Sequence, residues 1–342
     1  METENPVTYR YMHRNFNDSA GDPGGAFSDC SSSCAGGTTT LHHRLTPSPA
    51  TIYSDESLRS LISDLESPSA TIDTQRHAAM ELRLLAKHSP ENRSQIAGAG
   101  AVVPLISLIS SPDSLLQEHG VTAILNLSLL DENKDLIAAA GAIKPLVRAL
   151  RSPSLAAREN AACALFRLSH SDVLKATIAR SGAIPPLISL LESGRLRAKK
   201  DAITALYALC SISENKIRAV EAGIMKPLLE MMAETDGELV DKAGCVLRKV
   251  TGEEKGRVAA VSDGGIPVLV EVIEVGTQRQ KEIAAAALLQ ICEGSPAHSA
   301  LAVREGAIPP LVSLSQSGNS RAMKKAEMLI EMLRQRRTME DC

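Results

Sequence analysis

Apolar positions recur along this chain in blocks. Leu105, Leu108 and Ile109 mark a short helical stretch, and a longer one follows with Ile124 and Leu127 on one helix face. The arrangement then returns at fixed intervals. Ile124, Leu165, Leu206, Leu247, Leu288 and Ile330 form one column; Leu127, Leu168, Leu209, Val250, Ile291 and Leu333 form another. The period is 41 residues, widening to 42 at the last step. A unit of that length, built from short helices, is the size of an α-solenoid repeat.

The punctuation between blocks repeats with the same period. Gly100, Gly141, Gly182, Gly223, Gly264 and Gly306 open the phrases GAVVPL, GAIKPL, GAIPPL, GIMKPL, GGIPVL and GAIPPL. Glycine tolerates the left-handed conformation that ends a helix, and proline suits the first turn of the next. Each phrase therefore predicts a corner followed by a short corner helix. A second column holds Asp113, Ser154, Asp236, Thr277 and Asn319, all favoured N-cap residues, with Arg195 as the exception. It predicts the start of a long helix. A short helix, as from Glu132 to Ala140, then leads to the next glycine. Residues 57–99 form an atypical first repeat, because HAAMELRLLAKHSPENR parallels EHGVTAILNLSLLDENK with two extra residues before the glycine. The seventh repeat ends near Arg334 and is truncated, as a terminal cap would be. The repeat domain is placed at 55–342.

Residues 1–54 contain only Val7, Leu41, Leu45 and Ile52 as aliphatic β-branched or leucine side chains, and are rich in Ser, Thr, Gly and Pro. That composition predicts a disordered tail. Tyr9, Tyr11, Phe16, Phe27 and Tyr53 nevertheless fall there, so Tyr9 to Phe16 is a candidate docking motif, and Thr46-Pro47-Ser48-Pro49 offers proline-directed phosphorylation sites.

Composition narrows the function. The chain is 44% hydrophobic but 2% aromatic with no Trp, so the core must be aliphatic. A net charge of -3 argues against nucleic acid, and no apolar run approaches the roughly 18 residues of a membrane span. Glu2 and Glu4 without an apolar stretch do not resemble a secretory signal. Of seven cysteines, Cys163, Cys210, Cys245 and Cys292 fall in predicted helices and read as buried free thiols, which points to the cytoplasm or nucleus. No nucleotide-binding, hydrolase or metalloprotease motif is present, and no cofactor is expected. Cys30, Cys34, His42 and His43 lack a zinc-site spacing, so no metal is expected either.

AMELRLLAKHSPENR, QEHGVTAILNLSLLDENK and ENAACALFRLS resemble the armadillo repeats of plant U-box/armadillo proteins, over about residues 57–335. The resemblance implies an all-α, right-handed armadillo superhelix of about seven three-helix repeats. In that family the U-box recruits a ubiquitin-conjugating enzyme and the repeats hold the substrate. No U-box can be read in residues 1–54, so the expected function is a non-catalytic protein-interaction scaffold. Substrate recognition in ubiquitin transfer is the alternative. A wider resemblance to importin-α and β-catenin implies that the long helices line a concave groove where an Asn bonds an extended peptide. Asn126 matches that position, and its column continues with Arg83, Arg167, Ala208, Lys249, Gln290 and Met332. One turn earlier, where the importins place Trp, stand Ala79, Thr122, Cys163, Thr204, Cys245 and Ala286, so an import receptor is not expected.

Arg83, Asn126, Arg167, Lys249 and Gln290 are therefore the candidate groove residues, expected to project from the surface. The cations among them select an extended acidic or phosphorylated protein segment. Arg195, Arg197, Lys199 and Lys200 form a second basic patch at a helix N-terminus, where the macrodipole disfavours cations. Helices are about 10–12 Å across, so seven repeats give a groove of roughly 70–80 Å, room for about 20 extended residues.

Overall fold

The computed structural model describes residues 54–340. Tyr9 to Phe16, Thr46-Pro47-Ser48-Pro49 and the Cys30, Cys34, His42 and His43 group lie outside them. The described residues form helices and no strand. The first unit holds α1 (Asp55–Glu66), α2 (Ile72–His88) and α3 (Pro90–Gly98). Five units follow in the order corner, long and short helix. They are α4 (Val102–Leu108), α5 (Ser114–Leu127) and α6 (Asp131–Ala139); α7 (Ile143–Ala149), α8 (Leu155–Leu168) and α9 (Asp172–Arg180); α10 (Ile184–Ser193), α11 (Leu196–Leu209) and α12 (Ser213–Glu221); α13 (Met225–Ala233), α14 (Val240–Val250) and α15 (Glu254–Ser262); and α16 (Gly265–Val275), α17 (Gln278–Cys292) and α18 (Pro296–Arg304). The seventh has α19 (Ile308–Ser317) and α20 (Ser320–Glu340), the latter running beyond the end expected near Arg334. The whole is an armadillo-type α-solenoid.

All six corner glycines are left-handed, with φ from 78° at Gly264 to 90° at Gly100. A Cβ built on any of them meets nothing within 4 Å, so backbone conformation rather than crowding demands glycine. The hydrogen bonds explain the geometry. Gly141 N–H donates to the Ala138 carbonyl at 3.0 Å and Ala142 N–H to that of Ile137 at 3.3 Å, the paired bonds that close a helix end over a left-handed residue.

The second corner forms as the capping column predicts at four positions. Side chains of Asp113, Ser154, Thr277 and Asn319 accept from Leu116, Ala157, Gln280 and Ala322 N–H, and Thr277 with Gln280 completes a reciprocal capping box. Arg195 sits at its N-cap without a side-chain bond. Asp236 departs from the expectation. The chain makes turns after Glu234, with Gly237 N–H on the Glu234 carbonyl at 2.6 Å, and α14 begins only at Val240 behind an uncapped Leu239. The long helix of this unit is consequently 11 residues, against 14 in α11.

Both aliphatic columns are buried, from Ile124 at 0% exposure to Ile330 at 8%, in one core that runs the length of the stack. Each long helix packs on the next: α2 on α5, then α8, α11, α14, α17 and α20. Cys163, Cys210, Cys245 and Cys292 are buried cysteines, and burial pushes the Cys210 thiol up to about 12. A third column was not legible as such. Asn133 Nδ2 donates to the Leu127 carbonyl at the end of α5 and to Arg93 of the preceding unit, both at 3.1 Å. Asn215 does the same to Leu209 and Lys175, and Asn92 reaches Leu85. At Leu127, Leu209 and Leu85 these amides satisfy carbonyls that the end of a long helix leaves open, and at Arg93 and Lys175 they reach the preceding short helix. In the fifth unit the place belongs to Gly256, whose Cβ would lie 2.0 Å from the Val250 carbonyl oxygen.

Since space is not limiting at the corners, Gly182→Ala should cost only the left-handed penalty, about 1–2 kcal/mol. Gly182→Asn should lose less. Urea unfolding of the three proteins checks the order; equal stability of the alanine variant and wild type would contradict it.

Candidate functional site

The long helices form one continuous layer, and its small-residue stripe is closed. Ala79, Cys163, Thr204, Cys245 and Ala286 are buried, and only Thr122 is partly accessible. Polar and charged side chains flank the stripe and bridge every joint between units. Arg76 pairs with Asp113, and Arg83 donates to His119 at 3.2 Å with Glu118 at 3.9 Å. Asn160 Nδ2 donates to Thr122 Oγ1 at 2.8 Å, while Arg197 donates to Asn160 Oδ1 at 3.1 Å, so one chain of bonds crosses three units. Lys200 pairs with Glu238, Arg279 with Asp241 at 3.1 Å, and Asn319 donates to Glu282 at 3.0 Å.

These bridges account for half of the second basic patch. Arg197 faces Glu159 of α8 and Asp201 of its own helix, each at 3.9 Å, and Lys200 faces Glu238 in the turn before α14, so nearby carboxylates offset the unfavourable macrodipole. Arg195 is exposed and Lys199 half-buried, and neither joins an ion pair with a described carboxylate.

The five groove candidates differ in availability. Asn126 is buried, and its Nδ2 donates to the Arg83 carbonyl at 3.0 Å. Lys249 is packed rather than presented. Its ammonium lies 3.6 Å from the Tyr207 ring centroid and donates to the Tyr207 carbonyl at 3.0 Å. Burial is the main cause that depresses its pKa to about 8, with Lys175 and Lys216 nearby adding to it. Gln290 accepts from Thr251 Oγ1 at 3.1 Å. Three of the five thus reach back to the preceding unit and serve the stack. Arg83 is held by His119 and Glu118. Arg167 alone of the five keeps an unmet donor: its guanidinium lies 5.7 Å from the Phe166 ring, and its buried Nε has no hydrogen-bond partner among the described residues.

A second basic column escaped the sequence reasoning, although its 41-residue spacing signals it. Arg93, Lys134, Lys175, Lys216 and Arg257 occupy equivalent places on five short helices. Their charges are used locally. Arg93 donates to the Ala86 and Lys87 carbonyls, Lys134 and Lys175 pair with Asp131 and Asp172, Lys216 pairs with Glu253, and Arg257 donates to Thr251 and Gly252. The lysine side chains are only 13–20% exposed.

The family model for the plant U-box protein armadillo (ARM) repeat region matches residues 57–342. The chain belongs to this family. Its repeat region is 71% identical over 238 residues to U-box domain-containing protein 4 of Arabidopsis thaliana, covering 70% of this chain and 28% of that protein. It is 59% identical over 283 residues to U-box domain-containing protein 12 of rice, covering 83% and 46%. The chain thus spans less than half the length of these family members. Among solved structures an engineered protein superposes with a TM-score of 0.69 at 28% identity, over 82% of this chain and 68% of that one. A designed armadillo repeat protein solved with the peptide (KR)4 gives 0.60 at 23% identity, over 68% and 99%, and shares the fold.

Two side chains of the layer give pH signatures. Below pH 8 Lys249 is protonated in folded and unfolded chains alike. Between 8 and about 10.5 the folded protein has lost this proton and the unfolded chain has not, so stability rises with pH. Lys249→Met should lose that rise and be at least as stable at pH 7; a rise as steep as wild type would refute the assignment. His119 must be neutral for Nδ1 to accept from Arg83, and burial first, then Arg83, push its pKa below 6.5. The unfolded chain therefore binds the proton first, and stability falls as pH drops through 6.5 and below. His119→Gln should lose less melting temperature than wild type between pH 7 and 5.5, as followed by circular dichroism.

Proposed function

We propose that this chain is a non-catalytic scaffold of the cytoplasm or nucleus that holds an extended acidic or phosphorylated segment of a partner protein against the layer of long helices, on its concave side. One observation carries this reading. Arg167 stands near the middle of the layer with a buried, unmet Nε donor. Such a donor gains most from a carboxylate or phosphate, because an unpaired buried group already bears its desolvation penalty. Arg83, two units away and about a quarter exposed, supplies a second cation. Lys249 contributes positive potential rather than direct contact, since its ammonium is already bound. The buried thiols suit a reducing compartment.

A second reading rests on the 71% identity to a U-box domain-containing protein. In it the held segment belongs to a protein marked for ubiquitin transfer, and these residues supply recognition while the chemistry lies elsewhere. Purified chain with E1, E2, ubiquitin and ATP should then build no ubiquitin chains. Robust chain formation that depends on this protein would overturn the non-catalytic assignment.

Acidic and phosphoserine-containing peptides of about 20 residues, arrayed and probed with the labelled protein, test the first reading. Binders should weaken at least tenfold with Arg83→Glu plus Arg167→Glu while helicity is retained at the assay temperature; some melting temperature should be lost, because Arg83 also bridges to His119 and Glu118. Undiminished binding by that variant at low salt would reject the site.

A further inference from the structure

A row of exposed aliphatic side chains stands apart from the groove candidates. Ile72, Leu115, Leu155 and Leu196 all lie in the first turn of a long helix, on α2, α5, α8 and α11 in that order. Ile72, Leu115 and Leu196 are 54%, 48% and 46% exposed, and Leu155 is half-buried. Single exposed leucines are ordinary, but Ile72, Leu155 and Leu196 each open their helix and Leu115 stands one residue further into its own, so that on helices packed side by side the four form a strip. The strip ends at the fifth unit, where α14 begins with Val240 and Asp241 behind the acidic turn of Glu234, Asp236 and Glu238.

Charge and spacing indicate what would cover it. Arg151 and Arg195 are exposed and Lys199 is half-buried beside the strip, and none forms an ion pair with a described carboxylate. Arg158, in the same first turn as Leu155, has a buried Nε without a partner among the described residues. The border of the strip in the third and fourth units is therefore cationic and unneutralised. Packed helices stand about 8–10 Å apart, and an α-helix advances about 10.5 Å in seven residues. A helix running across the long-helix starts thus brings one residue of every heptad over each aliphatic side chain.

We propose that the first turns of α2, α5, α8 and α11 are a docking strip for an acidic amphipathic helix of a partner protein, with one aliphatic residue per heptad on the strip and carboxylates toward Arg151, Arg158, Arg195 and Lys199. The strip is separate from the column of Arg83 and Arg167 and operates whether or not that column binds a segment.

A fluorescein-labelled 24-residue helical peptide with Leu at every seventh position and Glu and Ala elsewhere serves as the probe. Titration with the full chain should give saturable anisotropy that weakens with salt. Leu115→Gln with Leu196→Gln should lower affinity at least tenfold with helicity retained, and Arg195→Glu with Lys199→Glu should do the same. Arg83→Glu with Arg167→Glu should leave it within twofold. The proposal is overturned if the peptide fails to saturate, or if the glutamine pair binds it like wild type. It is equally overturned if the wild-type chain sediments as a dimer that the glutamine pair disperses, because a second copy would then be the occupant.

Discussion

No unit of this chain can bury its own apolar faces. A corner helix, a long helix and a short helix make a slab with two apolar sides, and only the next slab covers them. Burial of apolar area between units is the interaction on which all else rests. It explains why the aliphatic columns are fully buried from Ile124 onward while Ile330, near the end of the stack, retains 8% exposure. It also explains why two aromatic residues suffice in the described repeats. A layer built from Leu, Ile, Val and Ala packs flat, and Phe166 and Tyr207 are left at its edge beneath cations.

Apolar burial is non-directional, so it does not by itself set the angle or register of one slab on the next. Directional bonds at the joints do. Asn133 and Asn215 tie a short helix to the end of its own long helix and to the preceding short helix at once, and Arg197, Asn160 and Thr122 link three units in series. The weakest specification falls at α14, where Asp236 does not cap and the helix starts late; there Lys200 with Glu238 and Gln280 with the Thr235 carbonyl hold the turn from either side.

The fold was legible because its determinants are local and periodic. Glycine at a left-handed corner and a capping oxygen at a helix start act within a few residues, so a period of 41 exposes them. Asp236 misled because a cap works only where the following turn is helical, and Gly237 diverts the chain. The candidate site was less legible. Its column was found, but whether a cation is presented or packed depends on what stands 39 to 43 residues away in the neighbouring unit. Lys249 folds down because Tyr207 offers a ring and a carbonyl, and Asn126 because Arg83 offers a carbonyl. Nothing in the spacing distinguishes those cases from Arg167.

The corners carry one further consequence. With φ between 78° and 90° and open space where a Cβ would stand, these six positions select against handedness and not against size. A mirror-image residue prefers that sign of φ. D-alanine introduced at Gly141 or Gly182 by chemical ligation would fit the existing backbone and narrow the freedom of the unfolded chain. The natural alphabet leaves such a corner to glycine, which pays for its tolerance in entropy at every turn of the stack.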